Sequence, residues 1–208
     1  MEKGKELITL AQRIRALSQT GLSYSHNDYE IERCQDLITI SNRITSIVSG
    51  IRDEEIDALY MPIKEYVTPK VDIRAVIFND KDEVLLVREK VDSRWSMPGG
   101  WADVGLTPKE VAIKETKEET GLDVCVERLL AVIDKRCHAH PASPFYIYKM
   151  FILCNILGGE FSETFDIIDK GFFPLDNLPP LSLDRILPEQ ISMMYELRNN
   201  PVAPVYLD

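Results

Sequence analysis

Apolar and polar positions repeat with two different periods along this chain, and the change lies near residue 67. In residues 1–66, apolar side chains recur every three or four positions, which is the spacing of one helix face. The pattern predicts three helices. The first ends at Gly21, the second begins within residues 25–28 and ends at Gly50, and the third covers residues 53–66.

The apolar stripes of these helices allow two interpretations. An amphipathic helix buries its apolar face inside its own domain or against another chain. The stripes therefore form the core of a small helical domain, or they form the surface of a homodimer. The stripe of the first helix consists of Leu7, Leu10, Ala11, Ile14 and Leu17.

Residues 67–208 show short apolar runs separated by turn residues. Such runs predict strands, and a longer apolar periodicity near the end predicts a last helix. The strands are expected at residues 71–78, 84–87, 124–133 and 146–156, and the helix at residues 188–198. Strands mixed with helices indicate a layered α/β domain. We therefore expect an all-α domain over residues 1–66, followed by an α/β domain over residues 67–208.

A helix with a complete set of end signals is predicted over residues 107–120. Thr107 is a suitable N-cap, Pro108 fits the first helical position and Glu110 completes a capping box. Gly121 is the predicted C-terminal stop. These signals make this helix the best-defined element of the second domain.

Three glutamates of this helix, Glu115, Glu118 and Glu119, lie within an arc of about 100° on one face. Like charges at this spacing destabilise a helix by about 0.2–0.5 kcal/mol per pair. A hard cation would relieve the repulsion, because Mg²⁺ prefers carboxylate oxygens; a solvated acidic face is the alternative. Gly99 and Gly100 form a tight turn before the helix, where the backbone can approach a ligand closely.

Residues 100–122 resemble the Nudix box, G-x5-E-x7-R-E-U-x-E-E-x-G-U, in which U is a bulky apolar residue. Gly100 is the first glycine, Glu115 follows the basic position, and residues 118–119 are the later glutamate pair. Gly121 and Leu122 close the box, and residues 95–101 match its usual lead-in. The chain is thus identified as a member of the Nudix superfamily, over roughly residues 70–200.

The chain departs from this pattern at three positions. Leu106 stands where the first glutamate belongs, Lys114 replaces the arginine, and Thr116 occupies an apolar position. Lysine keeps the charge but loses the two-pronged fork with which arginine orients a carboxylate. Asp103, three residues before Leu106, is the candidate substitute for the missing glutamate.

The resemblance implies a Nudix α/β/α sandwich with a mixed sheet. It also implies Mg²⁺-dependent hydrolysis of a diphosphate, with Mn²⁺ as a substitute ion. Glu115 and Glu119 would bind the cation, and Glu118 would bind a second ion or orient the attacking water. A carbonyl group of Gly99 or Gly100 would complete the coordination shell.

Family members often take a further carboxylate from a later loop. Residues 158–163 are the candidate, because they follow a predicted strand and precede an apolar run. Glu163 is favoured over Glu160 as general base or extra ligand, and the alternative is that both are solvated. A general base must lie within hydrogen-bond reach of the attacking water.

Candidate substrate contacts lie outside the glutamate face. Arginine forms paired hydrogen bonds to phosphate, and aromatic rings attract a quaternary ammonium such as choline. For each candidate the alternative is a structural, core or surface role. The candidates are Arg74, Arg88 and Arg94 for phosphate, and Trp101, Tyr146 and Tyr148, together with Trp95, for the ammonium group.

Composition and charge narrow the class of partners. The chain has 208 residues and a net charge of −10, so it repels polyphosphates unless cations intervene. No apolar run approaches the roughly 20 residues that span a bilayer, which predicts no membrane segment and a cytoplasmic protein. The four cysteines form no C-x-x-C pair, which favours reduced thiols over a zinc site or disulfides.

The helical region before the box resembles a bacterial subgroup of ADP-ribose pyrophosphatase-like proteins. The whole chain is similar to the CDP-choline pyrophosphatases of that subgroup, which implies CMP and phosphocholine as products. ADP-ribose hydrolysis is the first alternative, RNA-end processing the second, and a non-catalytic nucleotide-binding regulator the third. The absence of a Lys/Arg run weighs against tight RNA binding. A homodimer is expected.

Overall fold

The computed structural model describes residues 2–60, 67–103 and 105–208. They form two compact units, one from the described parts of Met1–Pro69 with Ala142–Tyr146, the other from Lys70–Pro141 with Ile147–Asp208. Within these residues, no helix combines the length and apolar character needed to cross a membrane. The domain boundary expected between residues 66 and 67 adjoins the undescribed segment 61–66 and stays a prediction.

The first unit contains helices α1 (Glu2–Tyr24), α2 (Asp28–Ser49) and α3 (Asp53–Ala58). Asn27 caps α2 by accepting from the Tyr29 N–H, and Gly50 ends it in a left-handed conformation with φ 75°, as predicted. The predicted third helix is too long at residues 59–60, because α3 ends at Ala58. Its predicted part over residues 61–66 lies outside the described residues.

The predicted helix stop at Gly21 is wrong, because α1 continues through Gly21 to Tyr24. A Cβ atom at Gly21 would lie 2.7 Å from the Cys34 Sγ of α2. The glycine therefore permits a close approach of two helices. Sequence spacing alone does not distinguish this use of glycine from a helix end.

The apolar stripes of the first unit are divided between buried and exposed positions. Ala11 of α1 and Ile56 of α3 are buried, whereas several large apolar side chains of α1 and α2 are exposed. Polar groups also meet between the two helices, where the Ser41 hydroxyl donates to the Ala11 carbonyl at 2.7 Å. An internal core therefore accounts for only part of the stripes. The exposed apolar residues on α1 and α2 are Leu7, Leu10, Leu17, Tyr24, Tyr29, Leu37, Ile40 and Ile47.

The second unit contains the predicted mixed sheet and a smaller antiparallel sheet. The strands are β1 (Lys70–Val76), β2 (Val84–Glu89), β3 (Trp95–Ser96), β4 (Gly99–Trp101), β5 (Leu122–Asp134), β6 (Ile147–Gly159), β7 (Ile167–Phe173) and β8 (Tyr206–Leu207). The five-stranded sheet has the order β4-β1-β6-β5-β8, and the three-stranded sheet has the order β3-β2-β7. In the larger sheet, β6 is parallel to β1 and antiparallel to β5.

Helices α4 (Pro108–Thr120) and α5 (Pro188–Asn199) cover opposite faces of the mixed sheet. Alternate β1 residues point to opposite faces: Ile73 and Ala75 pack in the cluster that contains α4, whereas Val76 packs in the cluster that contains α5. The structure thus confirms the predicted α/β/α layers, preceded by a helical region.

Candidate functional site

Helix α4 begins and ends where its sequence predicts. The Glu110 N–H donates to the Thr107 hydroxyl, and the Glu110 carboxylate accepts from the Thr107 N–H at 2.8 Å, which completes the capping box. Gly121 closes the helix with φ 87°. Thr116, the unexpected polar residue of the box, is fully buried, and its hydroxyl donates to the Ala112 carbonyl at 2.7 Å. A hydroxyl satisfied in this way fits an apolar position.

The turn at Gly99 lies directly beside this helix. Gly99 pairs with Arg74 of β1 at the edge of the sheet and has φ 143°, a region that favours glycine. A Cβ atom at this position would lie 2.0 Å from the Ile73 carbonyl oxygen. The Gly99 N–H donates to Glu119 Oε2 at 2.9 Å, so the backbone turn and the acidic helix are joined by a hydrogen bond.

Glu119 is the most deeply buried carboxylate of the acidic face. Burial raises the pKa of Glu119 to about 8, with Glu115 and Glu89 acting in the same direction against Arg74 and the Gly99 N–H. Burial also raises the pKa of Glu115. Glu115 lies along Gly100, where a Cβ atom would come within 3.1 Å of Glu115 Oε2. The positive charges and hydrogen bonds of the protein therefore do not fully compensate the negative charge of these carboxylates.

Lys114 provides one counter-charge on the solvent side. Its ammonium lies 2.9 Å from Asp103 Oδ2, 3.7 Å from Glu115 Oε1 and 3.6 Å from Glu118 Oε2. The hydrogen bond to Asp103 is the main cause that raises the pKa of Lys114. Asp103, the candidate substitute for the missing glutamate of the box, thus contacts Lys114, which stands in the arginine position.

The donor set fits a hard divalent cation in its chemistry. Glu115, Glu118 and Glu119 supply carboxylate oxygens, which such ions prefer, and the turn at Gly99 and Gly100 lies beside Glu119 and Glu115. In the part of the chain that the structure describes, no three Asp, Glu, His or Cys side chains already converge on one point as a metal site. Glu119 is instead turned toward Gly99, and Glu118 lies beside Lys114. These side chains would therefore have to rotate to bind a cation. Their roles as metal ligands stay a prediction.

One acidic residue near this site was missed by the sequence reasoning. Glu89 ends β2, and its carboxylate oxygen Oε1 accepts from the Ser96 hydroxyl at 3.2 Å and from Arg185 Nε at 2.8 Å. Its negative charge contributes to the raised pKa of Glu119. A signal was available, because Glu89 follows a buried strand and precedes the lead-in to the box by only a few residues.

The loop that carries Glu163 docks on the C-terminal end of α4. The Ser162 N–H donates to the Thr120 carbonyl at 3.1 Å, and Lys170 Nζ donates to the Ser162 and Glu119 carbonyls. Glu163 follows this docking point and is exposed. Its assignment as general base, ahead of the equally exposed Glu160, stays a prediction.

The three candidate arginines occupy different environments. Arg74 is buried, and its guanidinium is held by Asp72, which favours the structural alternative over a phosphate contact. Arg88 is half-buried, and its Nε donates to the Ser93 carbonyl at 3.1 Å. Arg94 is exposed on the turn before β3. Arg88 and Arg94 therefore remain the candidates for phosphate contacts.

The candidate aromatic residues do not form one cage. Trp95 is buried against Phe173, with 4.6 Å between ring centroids. Trp101 is half-exposed, and the Lys70 ammonium lies 5.3 Å from its ring centroid. Trp101 pairs with Asp72, whereas Tyr148 pairs with the adjacent Val71, so the two rings point to opposite faces of the sheet.

Tyr146, the remaining aromatic candidate, belongs to the first unit. Its hydroxyl donates to the Thr9 carbonyl of α1 at 3.1 Å. In the same unit the Tyr60 hydroxyl donates to the Pro144 carbonyl. These bonds give Tyr146 a structural role, and a role in substrate binding stays a prediction.

Comparisons with known proteins give the same family over both units. A family model described as "NUDIX domain" matches residues 68–191, and one described as "UDP-X-like, N-terminal oligomerisation domain" matches residues 5–60. The chain is 42% identical over 198 residues to YjhB of Bacillus subtilis (strain 168), which is provisionally named an ADP-ribose pyrophosphatase; the match covers 95% of each chain.

Two solved structures resemble the chain at useful sequence identity. A UDP-X diphosphatase is 34% identical and aligns over 99% of both chains with a TM-score of 0.64. An ADP-ribose pyrophosphatase from Streptococcus suis 89-1591 is 43% identical, with a TM-score of 0.62, over 68% of this chain and 100% of that chain. The first similarity includes the helical region, and the second covers about two thirds of this chain.

Proposed function

Because this chain belongs to the Nudix family and is a pyrophosphatase of that family, we propose that it hydrolyses a nucleoside diphosphate linked to a second group, with Mg²⁺ as cofactor. The observation that carries this proposal is the hydrogen bond between the Gly99 N–H and the buried Glu119 carboxylate. It joins the glycine turn and the acidic face of α4 into one anionic site. Nudix hydrolases use divalent cations, and Mg²⁺ is the proposed ion, with Mn²⁺ as a substitute.

Each acidic residue has a proposed task. Glu115 and Glu119 hold the cation, together with a carbonyl group of Gly99 or Gly100. Glu118 is more exposed than either, so it is free to rotate toward a second ion or the attacking water. When bound, the cation neutralises the diphosphate and lowers the pKa of its water. Glu163 is the proposed acceptor of the water's proton.

The proposed substrate is ADP-ribose, ahead of UDP-linked compounds and CDP-choline. Two relatives at 42% and 43% identity carry ADP-ribose pyrophosphatase in their names, and the UDP-X diphosphatase matches at 34% identity. Support for CDP-choline is weaker, because Trp95 is buried and Trp101 and Tyr148 lie on opposite sheet faces. RNA-end processing is less favoured, because the sequence contains no Lys/Arg run, and it is one arm of the test.

A substrate panel in H₂¹⁸O tests this proposal. Purified protein is incubated with Mg²⁺ and ADP-ribose, a UDP-sugar, CDP-choline or 5′-triphosphorylated RNA, and the products are identified by mass spectrometry. The expected result is two phosphate monoesters from ADP-ribose, one of them carrying ¹⁸O. Cleavage of another panel member alone would replace ADP-ribose by that compound. Binding without turnover of any member would favour the non-catalytic regulator.

We also propose that the helical unit makes a homodimer. Its family description names oligomerisation, and α1 and α2 expose several large apolar side chains. An apolar surface of this kind on a small unit marks a protein interface. A second copy of this chain is the proposed occupant. The cytoplasmic location expected from the sequence stays a prediction.

A further inference from the structure

Three charged side chains are buried together on one face of the mixed sheet, beneath the glycine turn. Asp72 and Arg74 lie two residues apart on β1, and Lys149 pairs with Asp72 from the neighbouring strand β6. Their exposed fractions are 5%, 5% and 1%. Groups buried to this extent cost free energy unless each charge is paired and hydrogen-bonded.

Hydrogen bonds link these three side chains to the backbone just before the Gly99 turn. Lys149 Nζ donates to Asp72 Oδ2, and Arg74 donates to Asp72 from Nε at 3.0 Å and from Nη2 at 2.9 Å. The opposite side of the guanidinium remains available for other acceptors. From there, Nη1 donates to the Met97 carbonyl at 3.0 Å and lies 3.4 Å from the Ser96 hydroxyl.

The backbone that Arg74 contacts is the backbone that holds Glu119. The Met97 carbonyl lies two residues before the Gly99 N–H, which donates to Glu119 Oε2 at 2.9 Å. Between them, the Pro98 carbonyl accepts from the Ala75 N–H at 2.8 Å. The direction of the Gly99 N–H therefore depends on where Arg74 and β1 hold the two preceding carbonyl groups.

We propose that Arg74 is a positioning residue of the pyrophosphatase site, which fixes the Gly99 turn, and that Asp72 and Lys149 hold its guanidinium in place. The inference rests on the proposed function for the role of Glu119. Arginine is required because one planar fork bonds Asp72 on one side and Met97 on the other. Lysine, a single point donor, reaches one acceptor of the two.

A purely structural role explains this arrangement less well. Replacement of a buried ion cluster by apolar residues of similar volume is often neutral or stabilising. Stability alone therefore does not call for three buried charges. The positive charge of Arg74 also acts on the carboxylates of Glu119 and Glu89, both of which border the site.

The test compares Arg74→Lys and Lys149→Met with a matched control, Lys135→Met. Lys135 is also a buried lysine, but its ammonium pairs with Asp184 at 3.1 Å, and its charge repels Lys149 rather than bonding to Asp72 or Arg74. The readouts are kcat, KM, the melting temperature, and the amide resonance of Gly99 in ¹⁵N-labelled protein without metal. If Arg74→Lys does not fold, Lys149→Met still tests the inference.

For Arg74→Lys we expect kcat to fall by about 10- to 100-fold, the cost of a displaced catalytic geometry, with KM nearly unchanged. Lys149→Met shows a smaller loss of kcat, and both variants shift the Gly99 amide resonance. Lys135→Met lowers the melting temperature but leaves kcat and the Gly99 resonance unchanged.

Two results would overturn the inference. One is an unshifted Gly99 resonance in folded Arg74→Lys; the other is a raised KM at constant kcat, which would make Arg74 a substrate contact. Failure of the proposed function is a separate result, because it appears as lack of turnover by the wild-type protein. In that case the Gly99 resonance alone decides whether Arg74 positions the turn.

Discussion

Asp103 accepts a hydrogen bond from the Lys114 ammonium at 2.9 Å, and Lys114 stands at the position where the Nudix box normally carries arginine. The same ammonium lies within 3.7 Å of a Glu115 oxygen and 3.6 Å of a Glu118 oxygen. Asp103 thus holds the Lys114 ammonium beside two glutamates, where its positive charge reduces the repulsion between them.

The Asp103–Lys114 pair should matter for activity more than for stability. We expect Asp103→Asn to change the free energy of unfolding by less than about 1 kcal/mol, because the pair is exposed. The rate of turnover should fall several-fold, because Lys114 is no longer held beside the two glutamates. Asp123→Asn is the matched control, since Asp123 pairs with Lys117 of the same helix at 2.8 Å. Equal turnover rates in both variants would contradict this account.

Gly99 and Gly100 should respond differently to alanine. In Gly99→Ala the new Cβ atom meets the Ile73 carbonyl oxygen at 2.0 Å and the φ of 143° is strained, so we expect a loss of at least about 3 kcal/mol. In Gly100→Ala the Cβ meets Glu115 Oε2 at 3.1 Å, the end of a flexible side chain. That variant should keep its stability and lose activity. Urea unfolding and initial rates measure the two effects, and equal stabilities would contradict the structure.

His140 should make the protein less stable in mild acid. Its Nδ1 lies 2.6 Å from the Leu183 carbonyl, and its Nε2 lies 2.9 Å from Gln190 Nε2. This arrangement requires a neutral ring with the proton on Nδ1. Burial is the main cause that lowers the pKa of His140 from 6.5 to about 4.

Between these two pKa values the unfolded chain binds a proton that the folded chain does not. The stabilising contribution of the neutral ring is thus complete above pH 6.5 and is lost as the pH falls toward 4. We expect an effect on the order of 3 kcal/mol, at about 1.4 kcal/mol per pKa unit. His140→Asn should remove this part of the pH dependence in urea unfolding, and His26→Asn, at an exposed position, should not. A wild-type slope retained in His140→Asn would refute the prediction.

The exposed apolar face of the helical unit should control assembly. Leu17 and Ile47 are 66% and 69% exposed, and we expect Leu17→Glu with Ile47→Glu to convert the dimer to a monomer in sedimentation velocity. Val202→Glu is the control, because Val202 is 88% exposed but lies in the second unit. An unchanged sedimentation coefficient in the double variant would place the interface elsewhere.

The sequence predicted best the elements whose signals are local. The capping box of Thr107 and Glu110, the stop at Gly121 and the hydrophobic strands depend on residues close together in the chain, and the structure has them at the expected places. The predicted helix end at Gly21 is wrong, because this glycine instead lets Cys34 of another helix approach closely. A contact between helices leaves no signal at the position of the glycine itself.

The environment of charged residues was the harder part of the site to predict. Asp72 and Arg74 lie two residues apart on β1 and so share a sheet face, but the sequence does not show that this face is buried or that Lys149 of β6 lies opposite Asp72. Glu89 was missed for a similar reason, because it approaches the site across a sheet rather than along the chain. Which apolar residues of α1 and α2 are buried likewise depends on how the two helices are rotated.

If the acidic face of α4 holds the cation for diphosphate cleavage, the Mg²⁺-dependent rate of ADP-ribose hydrolysis should depend on Glu119, and Glu119→Gln measures that dependence. Glutamine can keep the bond from the Gly99 N–H but loses the negative charge, so the melting temperature should be unchanged or higher. The rate should fall by about 100-fold or more, while Glu196→Gln, at an exposed position on α5, keeps the wild-type rate. A wild-type rate in folded Glu119→Gln would contradict the account.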